Sequence, residues 1–318
     1  MYIKTESKIR NRLILFFKGA LMGIADLVPG VSGGTIALIS GIYEELIESI
    51  ASLNLRSIKI LKKEGFYKFW YAINGSFTLT VVSGALFSVI LFSRVVHYFL
   101  IEKKILVWSF FFGLILASAL YMLKRLSCLR LNELLGIITG IVVISLISIA
   151  PIAPSSEGFF VLFFGGSLAV CAMILPGISG SFILLLLGIY PIIIGAIRQF
   201  QWSILLIFSL GCIFGLLAFS RILITLLRTY YSIFISTLVG FLLGSLMIIW
   251  PWKNSASLNA SDTGSEFNLS YQLLSPKEYS FLTEQDPLTY AAVSLMILGF
   301  LVVFSIDFLA KRLTNKGR

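Results

Sequence analysis

Histidine and cysteine are scarce in this chain: His97 is the sole histidine, and the three cysteines, Cys128, Cys171 and Cys212, stand singly in or beside apolar runs. That leaves no paired spacing for a disulfide framework or a metal site, so the cysteines read as packing residues and no cofactor is expected. Charge is scarce too, at 13% of 318 residues against 58% hydrophobic. Soluble domains carry about 25% charged residues, so the solvent for most of this chain is lipid. The apolar–polar alternation of a membrane barrel is also missing. In its place are long runs such as Ile105 to Leu123, apolar throughout, as a helix surrounded by lipid or protein must be. The expected fold class is an all-α polytopic membrane protein.

Basic residues outnumber acidic ones by 25 to 15, for a formal net charge of +10. The excess suits anionic lipid, and no nucleic-acid partner is expected. Lys4, Lys8, Arg10 and Arg12 precede the first apolar stretch, but no small-residue cleavage site follows, so the start reads as a retained cytoplasmic terminus and not a signal peptide. By the positive-inside rule, three further segments are cytoplasmic: that with Arg56, Lys59, Lys62, Lys63 and Lys68, the turn with Lys124, Arg125 and Arg130, and the tail with Lys311, Arg312, Lys316 and Arg318. The polar loop from Lys253 to Pro287, with Asp262, Glu266, Glu278, Glu284 and Asp286, is external. The loop with Lys103 and Lys104, balanced in part by Glu102, departs mildly from the rule.

The chain also resembles itself. Ala25 to Tyr43 reads ADLVPGVSGGTIALISGIY, and Ala172 to Tyr190 reads AMILPGISGSFILLLLGIY. Further on, Phe92-Ser93-Arg94 matches Phe219-Ser220-Arg221, and Gly113 and Ser118 fall on Gly240 and Ser245 at one constant, shorter offset. Residues 1–152 and 153–318 are therefore expected to be two repeats. Each holds a Pro/Gly-interrupted unit, at about 13–49 and about 159–197, and three plain spanning helices. Those helices are expected at about 72–95, 105–123 and 133–150, then at about 202–223, 231–250 and 288–310. Three crossings per repeat is an odd number, so the repeats have inverted topology if each interrupted unit is a re-entrant helical hairpin that enters and leaves on one side.

PGVSGG and PGISGS break their helices because Pro removes a donor and Gly tolerates left-handed angles. In lipid such a break survives only where protein or a polar cavity satisfies the freed groups. A new helix is expected near Gly34 and near Ser181, with Ser32 and Ser179 as caps or ligands. Uncapped N–H groups and the positive end of a helix dipole then face the cavity, as in an anion site. Close packing through small residues is the alternative for any one such cluster; recurrence in both copies favours a transporter site.

Arg94 and Arg221 stand at equivalent ends of the first plain helices, and either fork onto a phosphate or snorkel to headgroups. Asp26, replaced by Met173 in the second copy, is a candidate proton-coupling group, a partner for arginine, or a cap. Glu44 and Glu45 read as edge residues, His97 as interfacial, Arg198 as a flanking anchor, and Asp307 as a partner for Lys311. Trp70, Trp202, Trp250 and Trp252 read as an interfacial belt.

MGIADLVPGVSGGTIALISGIYEELI and its second copy ILPGISGSFILLLLGIYPII resemble the signature of the bacterial PopT-like polyprenyl-phosphate transporters, with the resemblance running over essentially the whole chain. It implies movement of undecaprenyl phosphate, the carrier lipid of cell-envelope synthesis, from the outer to the inner leaflet of the cytoplasmic membrane. It also implies that Ser32, Gly33, Gly34, Thr35, Ser179, Gly180 and Ser181, with Arg94 and Arg221, hold the phosphate while the prenyl tail stays in lipid. Thr35 becomes Phe182 in the second copy, so strict symmetry is not expected. Coupling to a proton or a sodium gradient is left open. A transporter of a small soluble anion would use the same hairpins. An intramembrane prenyl-diphosphate phosphatase would need a nucleophile or metal set that one histidine and no carboxylate cluster do not supply, so no enzyme activity is expected.

Overall fold

The computed structural model describes residues 2–28, 31–126, 130–149, 158–255 and 271–315. Pro29, Gly30, Cys128, Asp262 and Glu266 lie outside the described residues, and the Asp307–Lys311 pairing lies outside the described side chains. The chain opens with α1 (Tyr2–Asp26), α2 (Gly33–Ile39) and α3 (Tyr43–Ala51). Two short helices, α4 (Leu55–Glu64) and α5 (Phe66–Ala72), lead to α6 (Gly75–Glu102), α7 (Lys104–Arg125) and α8 (Leu131–Ile149). A similar order returns as α9 (Phe159–Ile174), α10 (Gly180–Leu186), α11 (Tyr190–Arg198), α12 (Trp202–Thr229) and α13 (Tyr231–Ile248). A two-stranded antiparallel ribbon, β1 (Lys253–Ser255) and β2 (Tyr271–Leu273), then leads to α14 (Pro276–Thr283) and α15 (Thr289–Asn315).

The structure departs from expectation in three places. The ribbon is an exception to the all-α expectation. α1 starts at Tyr2, well before residue 13, because no Pro or Gly interrupts its polar first turns. Most consequential, α6 and α12 run on past Arg94 and Arg221 to Glu102 and Thr229, with no Pro or Gly in those stretches, so both arginines sit within helices and not at their ends. α6, α7, α8, α12 and α13 are each long and apolar enough to cross a membrane, and the chain is a multi-pass membrane protein. α15 is apolar over 289–305, and α10 and α11 bend by 107° at their junction.

α7 and α13 form the centre: protein covers 61% and 56% of their apolar segments, against 17% for α6 and α12, which leave outer faces such as Ile90 and Leu206 to lipid. Four helix pairs make the frame, α1 along α6, α9 along α12, α8 along α13 and α15 along α7. Glycines let these backbones touch, as small residues do where lipid gives no hydrophobic drive for association. A Cβ on Gly84 would strike the Phe16 carbonyl, and one on Gly211 the Phe163 carbonyl; likewise Gly113 meets the Met296 carbonyl and Gly240 that of Ile137. Buried hydroxyls are matched in the same way. Ser109 donates to the Ile105 carbonyl and Ser236 to that of Ser232, both at 2.7 Å, which satisfies each donor inside its own helix.

The ribbon and α14 cover the ends of α7 and α15 through a small second core of Ile105, Trp252, Leu274, Tyr279 and Ala292. Trp252 is thus 4% exposed, and its indole N–H donates to the Pro287 carbonyl at 2.8 Å. Beside it the Lys253 amine donates to the Ile248 carbonyl and lies 3.8 Å from the Trp108 ring centre. Burial, and secondarily the Lys104 charge, push this amine down to about 7. The folded protein therefore binds fewer protons than the unfolded chain between that value and the usual lysine value of about 10.4, and stability rises with pH across that window. The melting temperature should climb between pH 7 and pH 9 in the wild type, and Lys253→Met should remove most of the climb.

Candidate functional site

The interrupted units meet tip to tip. Ser32, in extended conformation, caps α2: its Oγ accepts from the Gly34 N–H at 3.1 Å and donates to the Met173 carbonyl, near the end of α9, at 2.9 Å. In the opposite direction the Gly177 N–H donates to Thr35 Oγ1 at 3.1 Å. Gly177, at φ +85°, makes a turn that residues with a Cβ resist. Ser32 and Thr35 are both buried.

The donors expected to be free at the first tip are in use. Asp26 Oδ1 accepts from the Gly33 N–H at 2.6 Å, and the Thr35 N–H returns to the Ser32 carbonyl at 2.9 Å. A carboxylate of the chain itself thus stands where an outside anion was expected, and Asp26 acts as a cap in this conformation. At the second tip Ser179 does not cap α10; its Oγ pairs with Ser181 Oγ at 2.8 Å. Met173 replaces Asp26 there, and among the described residues no side chain accepts from Gly180 or Ser181 N–H. The two tips are alike in sequence and unlike in electrostatics.

Among the described residues, neither Arg94 nor Arg221 bonds to a tip residue. Arg94 lines a cavity of about 390 Å³ with Leu27, Ser93 and His97. Leu27 directly follows Asp26, so this cavity reaches the base of the first tip. His97 shares the wall with Arg94 one helical turn further on, since three-residue spacing places the two on one face. Arg221 lines a separate cavity of about 500 Å³ with Arg228, Glu45, Glu48 and Asn74. Arg228 escapes a comparison of the two copies because its counterpart is Ile101. Two arginines, with their planar donor forks, make this second cavity chemically suited to a phosphate. Among the described residues, no group of three or more His, Cys, Asp or Glu is placed to hold a metal ion.

Residues 22–267 match the VCA0040-like family, described as undecaprenyl phosphate translocase-like. The chain is 41% identical over 305 residues to a Vibrio cholerae serotype O1 protein named polyprenyl-phosphate transporter, an alignment covering 96% of this chain and 99% of that one. A Staphylococcus aureus protein of the same name is 31% identical over 256 residues, covering 75% of this chain and 86% of its own. No solved structure matches the chain. The matched interval contains both tips and both arginine cavities, and the chain belongs to the undecaprenyl phosphate translocase-like family.

Proposed function

We propose that this protein carries undecaprenyl phosphate across the bacterial cytoplasmic membrane, from the outer to the inner leaflet, with the phosphate on a polar path through protein and the prenyl tail in lipid. The observation that carries the reading is the direct meeting of two broken helical units, each accompanied by an arginine-walled cavity on α6 or α12. Moving a phosphate through hydrocarbon unaided is prohibitive, and paired broken helices are the recurrent remedy. In this reading residues 1–152 and 153–318 are inverted repeats, each a re-entrant hairpin with three spanning helices, and both termini are cytoplasmic. The matched glycine contacts of the four helix pairs support that arrangement.

Arg94 and Arg221 hold the phosphate on the two sides, and Ser32, Gly33, Gly34, Thr35, Ser179, Gly180 and Ser181 line its path. Protonation of Asp26, or a sodium ion beside it, would loosen its hold on the Gly33 N–H and hand that donor to the phosphate, which gives a gradient a point of action. Leaflet-resolved assay of undecaprenyl phosphate in proteoliposomes, with inorganic phosphate as competitor, tests the proposal. Faster movement than in protein-free vesicles, slowed by the competitor, is the expected result. Import of inorganic phosphate without lipid movement would replace it with a soluble-anion transporter, and release of phosphate from undecaprenyl diphosphate with an enzyme.

A further inference from the structure

α12 turns Arg221, Ile224 and Arg228 to the cavity, and α3 turns Glu45, Glu48 and Ser49 to it, each set at helical spacing. Charge inside is unevenly matched. Glu48 Oε1 lies 3.1 Å from Arg228 Nη2, and Asn74 Nδ2 donates to Glu45 Oε1 at 2.9 Å. Among the described residues the Arg221 guanidinium makes no ion pair. The arrangement has no equivalent in the other copy, where Gly195 stands for Glu48 and Ile101 for Arg228. A Cβ on Gly195 would meet nothing within 4 Å, and α11 does not pack on α6 as α3 packs on α12. The helices are closed together on the side where the ion pair exists.

We propose that Arg221 and Arg228 form a two-arginine cradle for a phosphate group, and that Glu48 is its resident anion, displaced when phosphate binds and returning to latch α3 onto α12 when phosphate leaves. A carboxylate and a phosphate compete for the same guanidinium fork, and the phosphate brings more charge and more acceptor oxygens. The ion pair is reversible because its side chains are 69% and 55% exposed, and exposed pairs are weak. Identification of the phosphate as a lipid headgroup rests on the proposed function; the latch itself does not.

Spin labels at Leu53→Cys and Thr225→Cys, in a full-length background with the native cysteines replaced by serine, report the α3–α12 separation by pulsed dipolar spectroscopy in nanodiscs. E48Q should raise the ratio of open to closed populations about twofold to fivefold, the range set by an exposed ion pair, and E48R combined with R228E should restore the closed population. Millimolar inorganic phosphate and, separately, undecaprenyl phosphate should each open the wild type. Installing G195E with I101R should draw α11 onto α6, read from labels on those helices. An unchanged separation in E48Q, checked for folding by its melting curve, overturns the latch; failure of both anions to open the wild type overturns the cradle even where lipid transport is intact. Opening by inorganic phosphate alone supports the cradle and counts against the lipid as its ligand.

Discussion

Arg94→Ala and Arg221→Ala should each slow undecaprenyl phosphate transport about tenfold to a hundredfold, since a hydrogen bond to a charged group contributes about 1.5–3 kcal/mol. Folding should be untouched. Both residues are exposed, and among the described residues neither guanidinium makes an ion pair, so truncation leaves no buried group stranded. Arginine-to-lysine variants should recover only part of the rate, because lysine supplies the charge without the bidentate fork. The two sites should also fail differently. When lipid is supplied to one leaflet at a time, the variant on the loading side should weaken concentration dependence, and the variant on the release side should lower the maximal rate. Full transport in both alanine variants, in protein with a wild-type melting curve, would remove the arginines from the path.

Gly113→Val and Gly240→Val should be far more damaging to the fold, at about 3 kcal/mol or more, the upper end for forcing atoms into a packed interior. The reason is geometric. At Gly113 the α15 backbone at Met296 occupies the space a side chain would take, and at Gly240 the α8 backbone at Ile137 does the same. Neither obstacle is a flexible side-chain end that could swing away. Gly195→Ala is the control: its Cβ enters open space, and alanine is the better helix former by about 1 kcal/mol, so it should be neutral to slightly stabilising. Yield of monodisperse protein and melting temperature separate the two classes. Valine variants that purify and melt like the wild type would show that these helices are not in backbone contact.

Much of the fold is legible before any coordinates because lipid imposes a simple grammar: apolar runs are helices, and Pro/Gly interruptions are breaks that need a reason. The repeat added the pairing of Arg94 with Arg221 and of Ser32 with Ser179. What stayed hidden depends on contacts between distant segments or on asymmetry. Asp26 reads as a costly buried carboxylate until Gly33 is seen seven residues on, donating to it. Arg228 and Glu48 are silent because a comparison of copies registers only what recurs, and Ile101 and Gly195 do not resemble them. α4 gives little signal because its apolar positions, Leu55, Ile58 and Leu61, make a short amphipathic stripe and not a spanning run. The burial of Trp252 depends on Leu274 and Tyr279, more than twenty residues further on, a contact that no local pattern announces.

The pairing of α7 with α15 has a consequence for synthesis. α7, made early, finds its glycine-faced partner only in α15, the last described helix. At ~5–20 residues per second, that interval is on the order of ten to thirty seconds. Throughout it a helix with a bare backbone-contact stripe waits in the bilayer beside the insertion machinery, and its native neighbour does not yet exist. A chain that stalls or is cut before α15 emerges would expose that stripe permanently, a feature by which membrane quality control could tell an unfinished copy from a finished one.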